Sequence, residues 1–297
     1  MLHRPDIGMN RKLKIILLLT LISSSLFAQK IVFIAGPDSH GKGEHEHIGG
    51  STLLVKAMNE GLPGVNAVLM QNGWPKDSTV LNDASAIVIY ADGGGDHFIM
   101  PHLAEIDRLA KKGVGITMLH FALEAPEGKV GNYMKDWIGG YFEINWSVNP
   151  VWEAAFASFP DHPISNGVKP FSITDEWYYH MRFADNMTNI TPILQALPPE
   201  STLKGKDGTH SNNPAVREAV LVKKELQPVA WAVDRPDGGR GFGFSGGHMH
   251  KNWGNDNFRK IVLNAIAWTA KAKIPEQGIT STTPTEAELD ALMKKVN

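Results

Sequence analysis

Apolar residues in this chain fall into short unbroken runs, separated by polar loops and by stretches with helical spacing. Lys30-Ile-Val-Phe-Ile-Ala35 is one such run and ends in Gly36-Pro37. Ala86-Ile-Val-Ile-Tyr90 and Gly113-Val-Gly-Ile-Thr-Met-Leu119 repeat the pattern, and Asn66-Ala-Val-Leu-Met70 is a further strand candidate. A continuous apolar run suits a strand covered on both faces, whereas an alternating one suits a half-buried strand. One helix is predicted from the end of the polar loop Asp38–Gly43 to about Glu60. A second spans Met100–Lys112, where Leu103, Ile106, Leu109 and Ala110 share a face. Strands alternating with helices predict an α/β fold with a parallel sheet covered on both sides.

The region of about 131–210 is less regular and rich in Trp, Tyr, Asn and Pro. Trp152–Phe156 and Phe171–Thr174 resemble strands there, as an elaboration on the sheet and not a separate domain. Val229–Val233 and Gly241–Ser245 predict a hairpin across Asp237-Gly238-Gly239. Phe258–Ala270 reads as an amphipathic closing helix. A tail from Ile274 (residues 274–297) holds a last helix, with Thr283 as N-cap, Pro284 first and Glu286 third. No internal repeat is visible.

The first 28 residues follow a different logic. Arg11, Lys12 and Lys14 precede the apolar run Ile15–Leu21, and the small-residue stretch Ser23–Ala28 follows. Basic, apolar and small-residue regions in that order predict a secretory signal cut after Ala28, and a periplasmic or secreted protein. The apolar stretch is short for a bilayer span, and no Cys follows it to carry a lipid, so no stable membrane anchor is expected. Cleavage takes the formal charge of the 297-residue chain from −2 to −5, which leaves no basic footprint for nucleic acid. The hydrophobic content of 42% suffices for a core. With no cysteine, disulfides, thiolate metal sites and Cys nucleophiles are all excluded.

Candidate chemistry gathers where the strands end. The first strand is followed by Ser39-His-Gly-Lys-Gly-Glu-His-Glu-His47, the third by Asp92-Gly-Gly-Gly-Asp-His97, the fourth by His120-Phe-Ala-Leu-Glu124. The late strand is followed by Gly246-Gly-His-Met-His250. Ligands of open parallel sheets bind beyond the carboxyl ends of the strands, at a switch in strand order. Plainer readings exist for each segment: a solvated helix start for His40–His47, a tight turn for Asp92–Gly95, a hydrogen-bonded core imidazole for His120. Glu124 shares a face with His120 if a helix begins at His120. His248 and His250 share a side if their segment is extended. Of the adjacent pair Asp175 and Glu176, at most one can enter a given pocket, and Trp177, Tyr178 and Tyr179 could form a sugar-stacking wall or simply core. No P-loop, G-x-S-x-G or His-Glu-x-x-His motif is present.

Taken in order, Ser39–His45, Ala91–Gly95, Met118–Ala122, Asp136–Phe142, Trp146–Pro150, His162–Ile164, Asp175–Tyr179, Gly238–Phe244, Gly246–His250 and Leu263–Trp268 resemble the ThuA-like (trehalose-utilisation) family of the class I glutamine amidotransferase-like superfamily. The resemblance covers a domain of residues 29–273. It implies a flavodoxin-like, doubly wound sheet and a link to catabolism of trehalose and related disaccharides, often beside oxidoreductases that make 3-keto sugars. Amidotransferase relatives carry a Cys at the sharp turn after the central strand. Here His120 takes that place, so glutaminase chemistry is excluded.

The expectation is an enzyme, a lyase, isomerase or hydrolase, acting on a disaccharide or its keto derivative. Its catalytic candidates are His120, Glu124 and Glu44. His40, His45, Asp92, Gly93, Asp175, Glu176, Arg182, His248 and His250 are candidates for holding the small-molecule carbohydrate. No cofactor is required, but a divalent metal is an option, with His40, His45, His248 and His250 as its candidate ligands. A non-catalytic carbohydrate-binding protein and a metal-dependent hydrolase of another substrate are the alternatives. The oligomeric state is left open.

Overall fold

The apolar runs form the centre of one seven-stranded sheet. The computed structural model describes Met1 and residues 28–293, so the expected signal over residues 1–28 lies almost entirely outside the described residues. Strand β1 (Gln29–Ala35) leads through helix α1 (His47–Gly61) to β2 (Val65–Met70). β3 (Ala86–Tyr90) leads through α2 (Leu103–Lys111) to β4 (Gly115–Leu119). A small lobe follows, made of β5 (Glu124–Ala125), α3 (Lys129–Ile138), β6 (Gly140–Glu143), the antiparallel pair β7 (Val151–Phe156) and β8 (Phe171–Glu176), and β9 (Arg182–Phe183). The chain returns to the sheet with β10 (Ile190–Ala196). It then passes α4 (Pro214–Arg217) to β11 (Gln227–Asp234) and β12 (Arg240–Phe244), and closes with α5 (Asp256–Thr269) and α6 (Glu286–Leu292).

The strand order is β10-β11-β12-β4-β3-β1-β2, and the pairs from β12 to β2 are parallel. Phe33 and Val88 pack on one face with Leu54 of α1 and Ile261 of α5. Ile34 and Ile89 pack on the other with Ile106 of α2 and Met134 of α3. The sheet is therefore doubly wound, as its continuous apolar strands require. The order reverses around β1, whose neighbours are β2 and β3, so the crevice at a switch point opens beside β1 and β3.

Three elements depart from the sequence reading. β10 joins the main sheet although Pro192 interrupts it; the strand lies at the edge and its register shifts beside that proline. α3 was not anticipated. The last helix is capped two residues later than expected: Thr285 accepts from the Glu288 amide, and the Glu288 carboxylate accepts from the Thr285 amide. The tail is not a loose appendage. Ile279 is fully buried, its amide donates to Asn264, and α6 lies across α1. Gly49 allows this, because a Cβ there would sit 2.2 Å from the Leu292 carbonyl oxygen.

Candidate functional site

The loops after β1, β3, β4 and β12 meet at one edge of the sheet. His120 occupies the turn directly after β4, in left-handed backbone with φ 53°; His40 and His45 share that conformation at 60° and 45°. Non-glycine residues held there store strain, and such strain collects at functional sites. The close contacts of β4 and β12 aim His120 inward. Its Nδ1 lies 2.8 Å from the Ser245 carbonyl oxygen, which only accepts, so the proton is on Nδ1 and Nε2 is bare. His45 is fixed in the same sense. Its Nδ1 donates to Asp92, 3.0 Å away, and Ser39 braces that carboxylate at 2.8 Å.

The two bare nitrogens face each other: His45 Nε2 lies 3.1 Å from His120 Nε2. His248 Nδ1 stands 2.9 Å from His45 Nε2, and a Glu176 oxygen is 3.2 Å from His248 Nδ1 and 3.5 Å from His120 Nε2. Tyr178 brings its hydroxyl within 3.2 Å of His120 Nε2. Burial pushes the His45 imidazole down to about 4 and holds His120 well below the ordinary value, so both are neutral. Burial opposes protonation of His248 as well, but the Glu176 hydrogen bond and the surrounding carboxylates outweigh it and raise its pKa. The side chains of His45 and His120 are 2% and 0% exposed, those of His248 and Glu176 11% and 17%, so the cluster opens on the His248–Glu176 side. The exposed His40 and Glu44 rim that opening: the His40 ring centroid is 3.7 Å from that of His45, and Glu44 lies 3.8 Å from His248 Nε2.

Several expected residues have other surroundings. Asp175 is fully buried and accepts from the amides of Gly247, His248 and Met249 and from the Asn252 side chain. It therefore shapes the loop that carries His248, and Glu176 is the carboxylate that enters the cluster. His250 starts a 3-10 turn instead of continuing a strand, and its ring packs beside Gly49 of α1, outside the cluster of His45, His120, Glu176 and His248. Arg182 makes a two-pronged pair with Glu143, 3.0 Å at each end, and stacks on Trp146. Gly93 is needed for packing: a Cβ there would meet the carbonyl oxygens of Phe121 at 2.1 Å and Glu124 at 2.6 Å. After His120 the chain forms a 3-10 turn, so Glu124 does not come round beneath it.

Glu124 instead pairs with His210 at 2.9 Å, a residue that sequence reasoning passed over because it lies in an irregular loop far from any strand end. His210 also holds left-handed backbone, φ 62°. Its Nε2 hydrogen bond to Glu124 raises its pKa above the ordinary imidazole value, and its side chain is 37% exposed. The Phe142 ring lies 5.5 Å from His210 and 5.0 Å from Tyr178, which links this pair to the cluster.

The sequence matches the family described as ThuA, trehalose utilisation, over residues 39–269. Among curated proteins none matches. Two solved structures share the fold. One is described as a thua-like protein from Parabacteroides merdae, with 17% identity, TM-score 0.53, and coverage of 88% of this chain and 98% of that one. The other, described in the same way, is from Bacteroides uniformis, with 15% identity, TM-score 0.53, and coverage of 82% and 91%. A match across the strand-end loops that build the cluster, together with the doubly wound sheet that gathers them, places this chain in the ThuA family.

Proposed function

We propose that this protein is an enzyme acting on a disaccharide or its keto derivative by proton transfer, and that the Glu124–His210 pair moves the proton. The observation that carries the reading is this pair: a part-exposed imidazole, tuned upwards by a buried carboxylate, beside a cluster rich in sugar-compatible acceptors and donors. A part-exposed imidazole oriented by a carboxylate is suited to removing a proton from carbon next to a carbonyl. Glu124 steadies the imidazolium that results. Sugar hydroxyls meet the open side of the cluster, where the Glu44 and Glu176 carboxylates accept hydrogen bonds and the exposed His40 ring lies at the rim. Phe121, whose ring lies 5.5 Å from His45 and 6.1 Å from His40, offers an apolar face at the same opening.

Turnover of a 3-keto-disaccharide tests this. The wild-type chain should form product, and His210→Asn should lose on the order of a hundredfold or more in kcat with a nearly unchanged melting temperature. Glu124→Gln should lose less, since it keeps His210 in place. Binding of the sugar with no product after long incubation would favour a carbohydrate-binding protein instead.

A further inference from the structure

We propose that His45, His120, His248 and Glu176 together form a binding site for one divalent transition-metal ion. This goes beyond the sugar chemistry and does not depend on it. The ligand atoms His45 Nε2, His120 Nε2, Glu176 Oε2 and His248 Nδ1 follow one another at 3.1, 3.5, 3.2 and 2.9 Å, and all four lie within 4.8 Å of one another. Ligands about 2.0–2.1 Å from a tetrahedral ion are spaced about 3.3–3.4 Å apart. Four of the six ligand–ligand separations thus already stand near coordination spacing.

The tautomers make the stronger argument. His45 and His120 each commit their Nδ1 hydrogen outward, to a carboxylate and to a backbone carbonyl. These are the supports that metal-bound histidines use to present a lone pair. Hydrogen bonding within the cluster answers only part of the resulting conflict. His248 Nδ1–H can serve His45, and the Tyr178 hydroxyl can serve His120. The contact between His45 Nε2 and His120 Nε2 then remains one of acceptor against acceptor between two buried side chains. A cation between the nitrogens turns that repulsion into attraction. Imidazoles with one carboxylate and no thiolate suit zinc, iron, manganese or nickel. The set differs from the one expected from sequence: Glu176 and His120 enter it, while His40 and His250 stand outside. The open His248–Glu176 side leaves such an ion within reach of a ligand oxygen.

The test uses the full, untagged chain, stripped with chelator, dialysed and titrated with Co2+ alone, with visible absorption and elemental analysis as readouts. About one ion per chain is expected, with the visible bands of a low-coordinate nitrogen–oxygen site and displacement by Zn2+. His45→Gln combined with His248→Gln should weaken binding on the order of a hundredfold or more. Asp92→Ala, which removes the hydrogen-bond support behind His45 without touching a ligand, should weaken it roughly ten- to a hundredfold. Uptake by the wild type no greater than by a folded double variant would overturn the proposal. If the double variant does not fold, the wild type decides: uptake well below one ion per chain, or an affinity unmoved by Asp92→Ala, overturns it equally. Failure of keto-sugar turnover would leave this result untouched, and failure to bind metal would leave the Glu124–His210 reading standing.

Discussion

His97 is fully buried at the end of the β3 loop, where its Nε2 donates to the Ala122 carbonyl and its Nδ1 accepts from the Ile99 amide. Protonation would set two donors against each other at Nδ1, and burial pushes its pKa down to about 4. The unfolded chain takes up this proton near pH 6.5 and the folded chain only near 4. Between those values the unfolded state binds more protons, so stability falls as pH falls, by about 3 kcal/mol in all from this residue. His97→Gln should flatten the decline in melting temperature between pH 7 and pH 5; an unchanged slope would remove His97 as its source. Asp175 is a second residue whose role is structural. Asp175→Asn replaces an acceptor oxygen by a donor opposite amide hydrogens, so it should cost roughly 2–4 kcal/mol in chemical denaturation. It should also loosen the loop that carries His248.

At the scale of elements, much was legible from the sequence because a buried parallel strand leaves a plain signature. The runs around Phe33, Ile89 and Met118 are almost wholly apolar, so the strands and a parallel sheet covered on both faces followed directly. β10 escaped because Pro192 and the alternation around it match an edge, and edges obey weaker rules. The histidines His40, His45, His120 and His248 were legible as a group because the carboxyl ends of parallel strands must share one sheet edge. Their exact partners were not legible. Whether Glu124 meets His120 or His210 depends on a single 3-10 turn, which no periodicity encodes. The tail is an element whose contribution can be measured. Ile279→Ala deletes fully buried methyl groups and should cost about 2–5 kcal/mol, whereas Thr285→Ala removes an exposed cap and should cost about 1 kcal/mol. Equal losses would contradict the view that burial and not the cap fixes the tail.

On the scale of the whole molecule, a single sheet switch point gathers residues 40 to 248 into one cluster, while the lobe between β4 and β10 supplies Glu124, Glu176 and Tyr178 and the connection from β10 to α4 supplies His210. The middle region of about 131–210, which carries little periodic signal, thus contributes Glu176, Tyr178 and His210 to the proposed chemistry. Export is a separate expectation. N-terminal sequencing of the protein recovered from a periplasmic fraction should begin at Gln29, the first residue of β1; recovery of an intact Met1 or Met9 terminus in soluble form would contradict it. The central claim is proton transfer by His210 beside the histidine cluster, and deuterium exchange tests it without requiring that the final product be known. A 3-keto-disaccharide incubated with the wild-type protein in deuterated water should gain deuterium on the carbon next to its carbonyl, well above the buffer rate. His210→Asn should reduce that gain on the order of a hundredfold. Exchange at the buffer rate with the wild-type protein, or exchange undiminished in the folded variant, would contradict the account.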